Sequence, residues 1–155
     1  MIGEPYIFYY TPREESGTFR MAQLLAEQLG MKIVVTQLHP EYVGENLICK
    51  YDCGPCEFLN IISHSNYTIG KSFHLLAFSL IFKKEFFMVS RDKDSRMMNL
   101  LEPLSLTDRI ISPDMSEICM PEKIDFYNVQ KSMQELSKSS LDYLQSSLIS
   151  NQRML

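Results

Sequence analysis

The feature that most constrains the fold is an alternation of short, continuous apolar runs with segments whose apolar residues recur at helical spacing. Pro5 to Tyr10 is an apolar, aromatic run closed by Thr11-Pro12 and reads as a buried strand. Phe19, Met21, Leu24, Leu25 and Leu29 then step at helical spacing, and Gly30 closes that helix. Lys32 to Leu38 reads as a second strand. Tyr42 to Gly54 reads as irregular. Gly54-Pro55-x-Glu57 is a helix-start signal, with proline where a missing N–H costs nothing and glutamate in the first turn. Phe58, Ile61 and Ile62 supply its inner face. Asn66 to Gly70 reads as a strand, and Ser72 as the N-cap of a helix over Phe73 to Phe82. Phe86 to Ser90 reads as a strand, Ser95 as the cap of a short helix through Leu101, and Ile110-Ile111 as a last strand. A tail helix is expected from about Asp125 to Ser150, amphipathic and folded back on its own domain, with a coiled-coil dimer as the alternative.

Strands without alternation, separated by helices, mark a parallel sheet covered on both faces. Right-handed crossovers then predict an α/β, Rossmann-like three-layer domain with a mainly parallel sheet of about five strands. The 155 residues suit one such domain. A formal net charge of -4 argues against a nucleic-acid partner, whose binders carry basic surfaces. No apolar run approaches transmembrane length, and no signal peptide is evident, so a cytoplasmic location is expected. The lone Cys53-Gly54-Pro55-Cys56 lacks the second pair or spaced histidines of a zinc site. It reads with Cys49 and Cys119 as reduced thiols. No metal is expected.

Ligands of open α/β sheets bind beyond the carboxyl ends of the strands. That rule selects the loops Thr11–Gly17, Cys49–Pro55, Lys71–His74 and Arg91–Arg96. The first lacks the GxGxxG that holds a dinucleotide, and GxxxxGK[ST] is absent from the chain. In the third, a strand ends at Gly70 and a helix begins at once. Its first turn offers unpaired N–H groups suited to phosphate or carboxylate, with the Ser72 hydroxyl beside them. His74 in that turn is a candidate for proton transfer. Alternatively, Ser72 is only a cap and His74 only a packed ring. Arg91-Asp92-Lys93-Asp94-Ser95-Arg96 carries three cations. Arg96 could hold an anion in bidentate fashion, or the loop could be solvated, with its aspartates partnering the cations.

Several motifs stand in a telling order. They are Gly54-Pro55-x-Glu57-Phe58, Ser72-Phe73-His74-x-x-x-Phe78-Ser79, Phe86-Phe87, Ser95-Arg96 with Leu100-Leu101, and Leu106-x-Asp108-Arg109. Together with Pro5 to Tyr10 and the tail's Ser140-x-x-x-Leu144, they resemble the C-terminal half of the polysaccharide pyruvyl transferase family. The resemblance implies one of two Rossmann-like domains that face a cleft, as in a two-domain glycosyltransferase. It implies transfer of pyruvate from phosphoenolpyruvate to a glycan or lipid-linked sugar, usually as a cyclic ketal. It makes His74 the acid/base and places Ser72, Phe73, Arg96, Gly54 and Glu57 in substrate binding, with no cofactor. A location at the inner membrane face would suit a lipid-linked acceptor. The family often has glycine after the histidine, where this chain has Leu75. The N-terminal domain is expected to be missing from these residues, leaving little activity in this polypeptide alone. Two other functions compete: a nucleotide-sugar-dependent glycosyltransferase domain, and a degenerate, non-catalytic interaction module.

Overall fold

The computed structural model describes residues 2–92 and 94–152, and the chain divides into two compact units, Met1–Lys123 and Ile124–Leu155. The first unit runs β1 (Tyr6–Tyr10), α1 (Thr18–Leu29), β2 (Lys32–Val35), β3 (Leu47–Cys49), α2 (Pro55–His64), β4 (Tyr67–Gly70), α3 (Phe73–Ile81), β5 (Glu85–Val89), α4 (Ser95–Leu101) and β6 (Ile110–Ile111). A short 3-10 turn, Thr107–Arg109, precedes β6. The strands form one sheet in the order β3-β2-β1-β4-β5-β6. All five pairings are parallel. This is the expected α/β three-layer fold.

The sheet has six strands, not about five. The additional one is β3, inside the stretch read as irregular. It is three residues long, pairs only with β2, and leaves Leu47 and Ile48 half-buried. An edge strand of that length carries no side-chain pattern long enough to read. Strand β2 also ends at Val35 rather than Leu38.

Strand β1 shows why the central runs are continuously apolar. Tyr9 packs edge-on against Phe19 of α1, with ring centroids 5.2 Å apart. On the opposite face Phe8 and Tyr10 meet Phe58 of α2 at 5.3 and 4.9 Å. Both faces are therefore removed from water, and alternation would leave polar groups in a core. The cluster on the α1 face joins Ile7, Met21, Leu25, Ile33, Ile69 and Phe87.

Helix ends follow local chemistry. Gly30 takes the left-handed conformation that closes α1, donating to Ala26 and Glu27 carbonyls. Helix α4 is capped by Asp94, whose carboxylate accepts from Arg96 N–H, and not by Ser95, which is the first helical residue. A carboxylate one position earlier captures the turn that the serine was expected to hold.

The second unit holds α5 (Phe126–Gln152). Asp125 begins it by accepting from the N–H groups of Tyr127 and Asn128 at 3.1 and 3.3 Å. Ser140 and Ser147 return their hydroxyls to carbonyls one turn back. No helix among the described residues is long and apolar enough to cross a membrane.

Candidate functional site at the β1–β4 crevice

The chain runs outward from β1 through β2 to β3, then returns to place β4 on the other side of β1. The order reverses between β1 and β4, and the crevice of such a sheet opens there. The loops flanking it are Thr11–Gly17 after β1 and Lys71-Ser72 after β4. Two contacts tie them together. The Thr11 hydroxyl is shared between the Arg13 carbonyl at 3.1 Å and the Lys71 carbonyl at 3.4 Å, and Lys71 Nζ pairs with Glu15 at 2.6 Å.

Gly70 ends β4 in register with Tyr10, at a φ of +156°. Backbone contact with β1 is too close there for any side chain. Ser72 follows in extended conformation and caps α3, its Oγ accepting from Leu75 N–H at 3.4 Å. The Ser72 carbonyl takes the Leu76 N–H at 3.1 Å. Ser72 is buried, Phe73 half-buried and His74 exposed. A helix of nine residues thus starts at the crevice with its leading N–H groups lacking intrahelical acceptors, and an exposed imidazole in the same turn.

The other residues singled out in the sequence fall elsewhere on the carboxyl edge. Arg96 follows β5, the neighbour of β4. Its guanidinium already grips Asp94, with Nη2 and Nε at 2.9 and 3.3 Å from the carboxylate oxygens. That hydrogen bonding holds the Asp94 carboxyl below its ordinary range. Arg91 is likewise bidentate, on Asp114 of the loop after β6. Lys93 lies outside the described residues. Gly54 and Glu57 stand at the start of α2, whose next residue, Phe58, packs on Phe8 and Tyr10 of β1. The Glu57 carboxylate folds back over Gly54, 2.8 Å from where a Cβ would stand. Glu57 also lines a cavity of about 780 Å³ with Tyr6, Cys53, Asn60, His64 and Asn66; Ser72 and His74 are not part of it. The structure therefore brings Ser72, Phe73 and His74 together in the first turn of α3, sets Arg96 in α4 after the neighbouring strand β5, and puts Gly54 and Glu57 at the start of α2.

Glu14, which the sequence did not single out, sits in the β1 loop and accepts from Tyr9 Oη at 2.7 and 2.8 Å and from Tyr42 Oη at 2.7 Å. Burial first, and the Glu14 carboxylate second, push both phenols above the ordinary tyrosine value. Among the described residues no cluster of three or more His, Cys, Asp or Glu side chains could hold a metal ion.

Arg109, quoted among the motifs, lies at the other end of β5. It is 2% exposed and pairs with Glu85, the first residue of β5, at 2.6 Å. It also donates to the Glu122 carbonyl and covers the Phe87 ring at 5.8 Å. Its role is to hold that end of the sheet together.

No curated protein and no solved structure matches the chain. The family model described as Polysaccharide pyruvyl transferase matches residues 13–93, more than half of the chain. The matched stretch holds residues 13–17 of the β1 loop, the whole β4 loop, strands β2 to β5, and the helix start that carries Ser72 and His74. The chain belongs to the polysaccharide pyruvyl transferase family.

Proposed function

We propose that this unit supplies the donor-side wall of an enzyme that moves pyruvate from phosphoenolpyruvate onto a sugar of a polysaccharide or its lipid-linked precursor, forming a cyclic ketal. The observation that carries the reading is the exposed His74 imidazole in the first turn of α3, at the crevice, beside the Ser72 cap. Phosphoenolpyruvate brings a phosphate and a carboxylate, and the leading N–H groups of α3 suit either. Phe73 flanks them. Arg96, released from Asp94, would meet the second anionic group.

Ketal formation adds one sugar oxygen to C2 of the enol, while C3 receives a proton and becomes the methyl group. Phosphate then leaves C2, and a second sugar oxygen closes the ring. Two hydroxyl protons are lost. One balances the proton gained at C3, and the other leaves with phosphate. His74 is the group to carry the proton between hydroxyl and C3. Leu75, where the family often has glycine, is fully buried and packs the start of α3 into the core. Gly54 and Glu57 enter this scheme by fixing the start of α2 beside the acceptor path. Catalysis requires a second wall opposite the crevice, supplied by a facing domain, and these 155 residues alone give little turnover.

Titration calorimetry with phosphoenolpyruvate, followed by a uridine nucleotide, tests the reading. Phosphoenolpyruvate should bind, and His74→Ala and Arg96→Ala should weaken it. Binding of the nucleotide alone would replace this reading with a nucleotide-sugar transferase. A robust release of phosphate by the isolated chain would overturn the requirement for a second wall.

A further inference from the structure

We propose that the cavity between the loops after β1 and β2, lined by Pro12, Glu14, Gln37, Leu38, His39 and Tyr42, is a saccharide-binding subsite in which Glu14 accepts hydroxyls of an uncharged sugar. The cavity measures about 340 Å³ and opens at the carboxyl edge of the sheet. That volume suits a small ligand unit.

The chemistry of its walls selects the ligand. A carboxylate offers about four acceptor positions. Tyr9 and Tyr42 bring Glu14 only two protons, so acceptor capacity remains. The two phenols also hold the carboxylate rigidly, because Tyr9 is 1% exposed and Tyr42 8% exposed. The His39 ring packs tilted against Tyr42, centroids 5.2 Å apart, and its Nδ1 accepts the Glu41 N–H at 3.3 Å. With Nδ1 accepting, the ring proton sits on Nε2, which can donate. The Gln37 amide offers both functions. Leu38, 81% exposed, and Pro12 add apolar surface at the rim. A carboxylate acceptor, an imidazole donor, an amide and an apolar rim suit a ring of hydroxyls with C–H faces.

An anion is disfavoured, since Glu14 is the charged group in the cavity wall and is negative. Charge thereby sorts the two substrates. The anionic donor is drawn to the start of α3, and the sugar to the β1 and β2 loops. Strands β2 and β4 are two spacings apart, roughly 10 Å, so a short oligosaccharide spans both places. The inference rests on the pyruvyl-transfer reading for calling this sugar the acceptor. Its test therefore reads binding rather than turnover.

The test is amide chemical-shift mapping of the 155-residue chain with glucose, galactose, mannose and their N-acetylated 2-amino derivatives at millimolar concentration. We expect saturable shifts in residues 12–15 and 36–42 with at least one of these sugars. His39→Ala should weaken that binding about ten-fold, the loss of one hydrogen bond in a charged setting. Gln37→Ala should weaken it in the same way. Lys131→Ala, an exposed change on α5, should leave sugar binding unchanged. Absence of shifts with every sugar would overturn the proposal, as would equal binding by both pocket variants or preferential binding of phosphoenolpyruvate at these residues. Sugar binding here with no phosphoenolpyruvate bound at α3 would sustain the subsite while sinking the role given to His74.

Discussion

A Cβ on Gly70 would stand 2.8 Å from the carbonyl carbon of Tyr10, and closer still to its oxygen. The two residues are paired in register at the end of β1 and β4. The site hangs from this contact, because the chain must turn from β4 into the Ser72 cap immediately afterwards. Gly70→Ala adds both an overpacked backbone contact and an unfavourable positive φ. We expect a loss on the order of 3 kcal/mol in urea unfolding, with amide shifts spreading through residues 71–74. A loss near zero would mean that the strands separate without consequence.

Ser79 is a motif residue that works inside the fold. Its Oγ donates to the Leu75 carbonyl at 2.6 Å, so the 2.6 Å contact with Thr68 Oγ1 takes its proton from Thr68. Both hydroxyls are fully buried. This arrangement predicts asymmetry. Ser79→Ala strands the Thr68 hydroxyl and should cost about 1–3 kcal/mol, whereas Thr68→Val leaves Ser79 bonded and should be close to neutral. Equal losses in the two variants would contradict the donor assignment.

Arg109 joins Glu85, Phe87 and the Glu122 carbonyl in one buried knot. Arg109→Met removes one partner of a buried pair and should cost about 3–5 kcal/mol. Because the knot lies at the amino end of β5, phosphoenolpyruvate affinity of the folded fraction should not change. An affinity loss at full folding would place Arg109 in the site after all.

The alkaline limit of stability follows from the tyrosines. Burial pushes the Tyr6 phenol up to about 12, from an ordinary value of 10.0. Tyr9 and Tyr42 are raised further in the same direction, with burial the largest cause. A phenol whose folded pKa is raised favours the fold while protonated. Its contribution is complete below the unfolded value and is lost as pH climbs through the folded value. Stability should therefore be flat to about pH 10 and fall steeply by about pH 12. Tyr6→Phe should shift that fall upward, as followed by circular dichroism. Phenolate absorbance rising in one step near pH 10, with the fold intact, would refute the burial of these groups.

What could be read from the sequence depended on how local the cause was. The central strands were legible because burial of both faces writes itself into consecutive residues. The Ser72 cap was legible because its partner, Leu75 N–H, is three positions away. Strand β3 was not, since its existence depends on ladder bonds to β2 and not on its own side chains. Glu14 was hidden for a similar reason. Its partner Tyr42 is 28 positions distant, and nothing in either neighbourhood marks a pair. Arg109 was visible only as part of a motif, and its burial against Glu85, 24 positions back, shows only in three dimensions.

The division of labour within Ser72-Phe73-His74 gives the last prediction. Ser72 is 5% exposed and holds the helix start, while His74 is exposed and makes no contribution to the cap. Ser72→Ala removes a capping acceptor and should lower stability by about 1 kcal/mol. It should also weaken phosphoenolpyruvate binding, by loosening the N–H groups that would receive the anion. His74→Ala, a surface change, should leave stability within about 0.5 kcal/mol of wild type. With a facing domain supplied, it should reduce turnover by about 10²–10⁴-fold, the span of a lost acid/base group. Ser72→Thr should restore both stability and binding, because the cap needs only the hydroxyl. If His74→Ala instead unfolded the unit while turnover per folded molecule stayed constant, the imidazole would be a packing group and the proton would have to travel by another route.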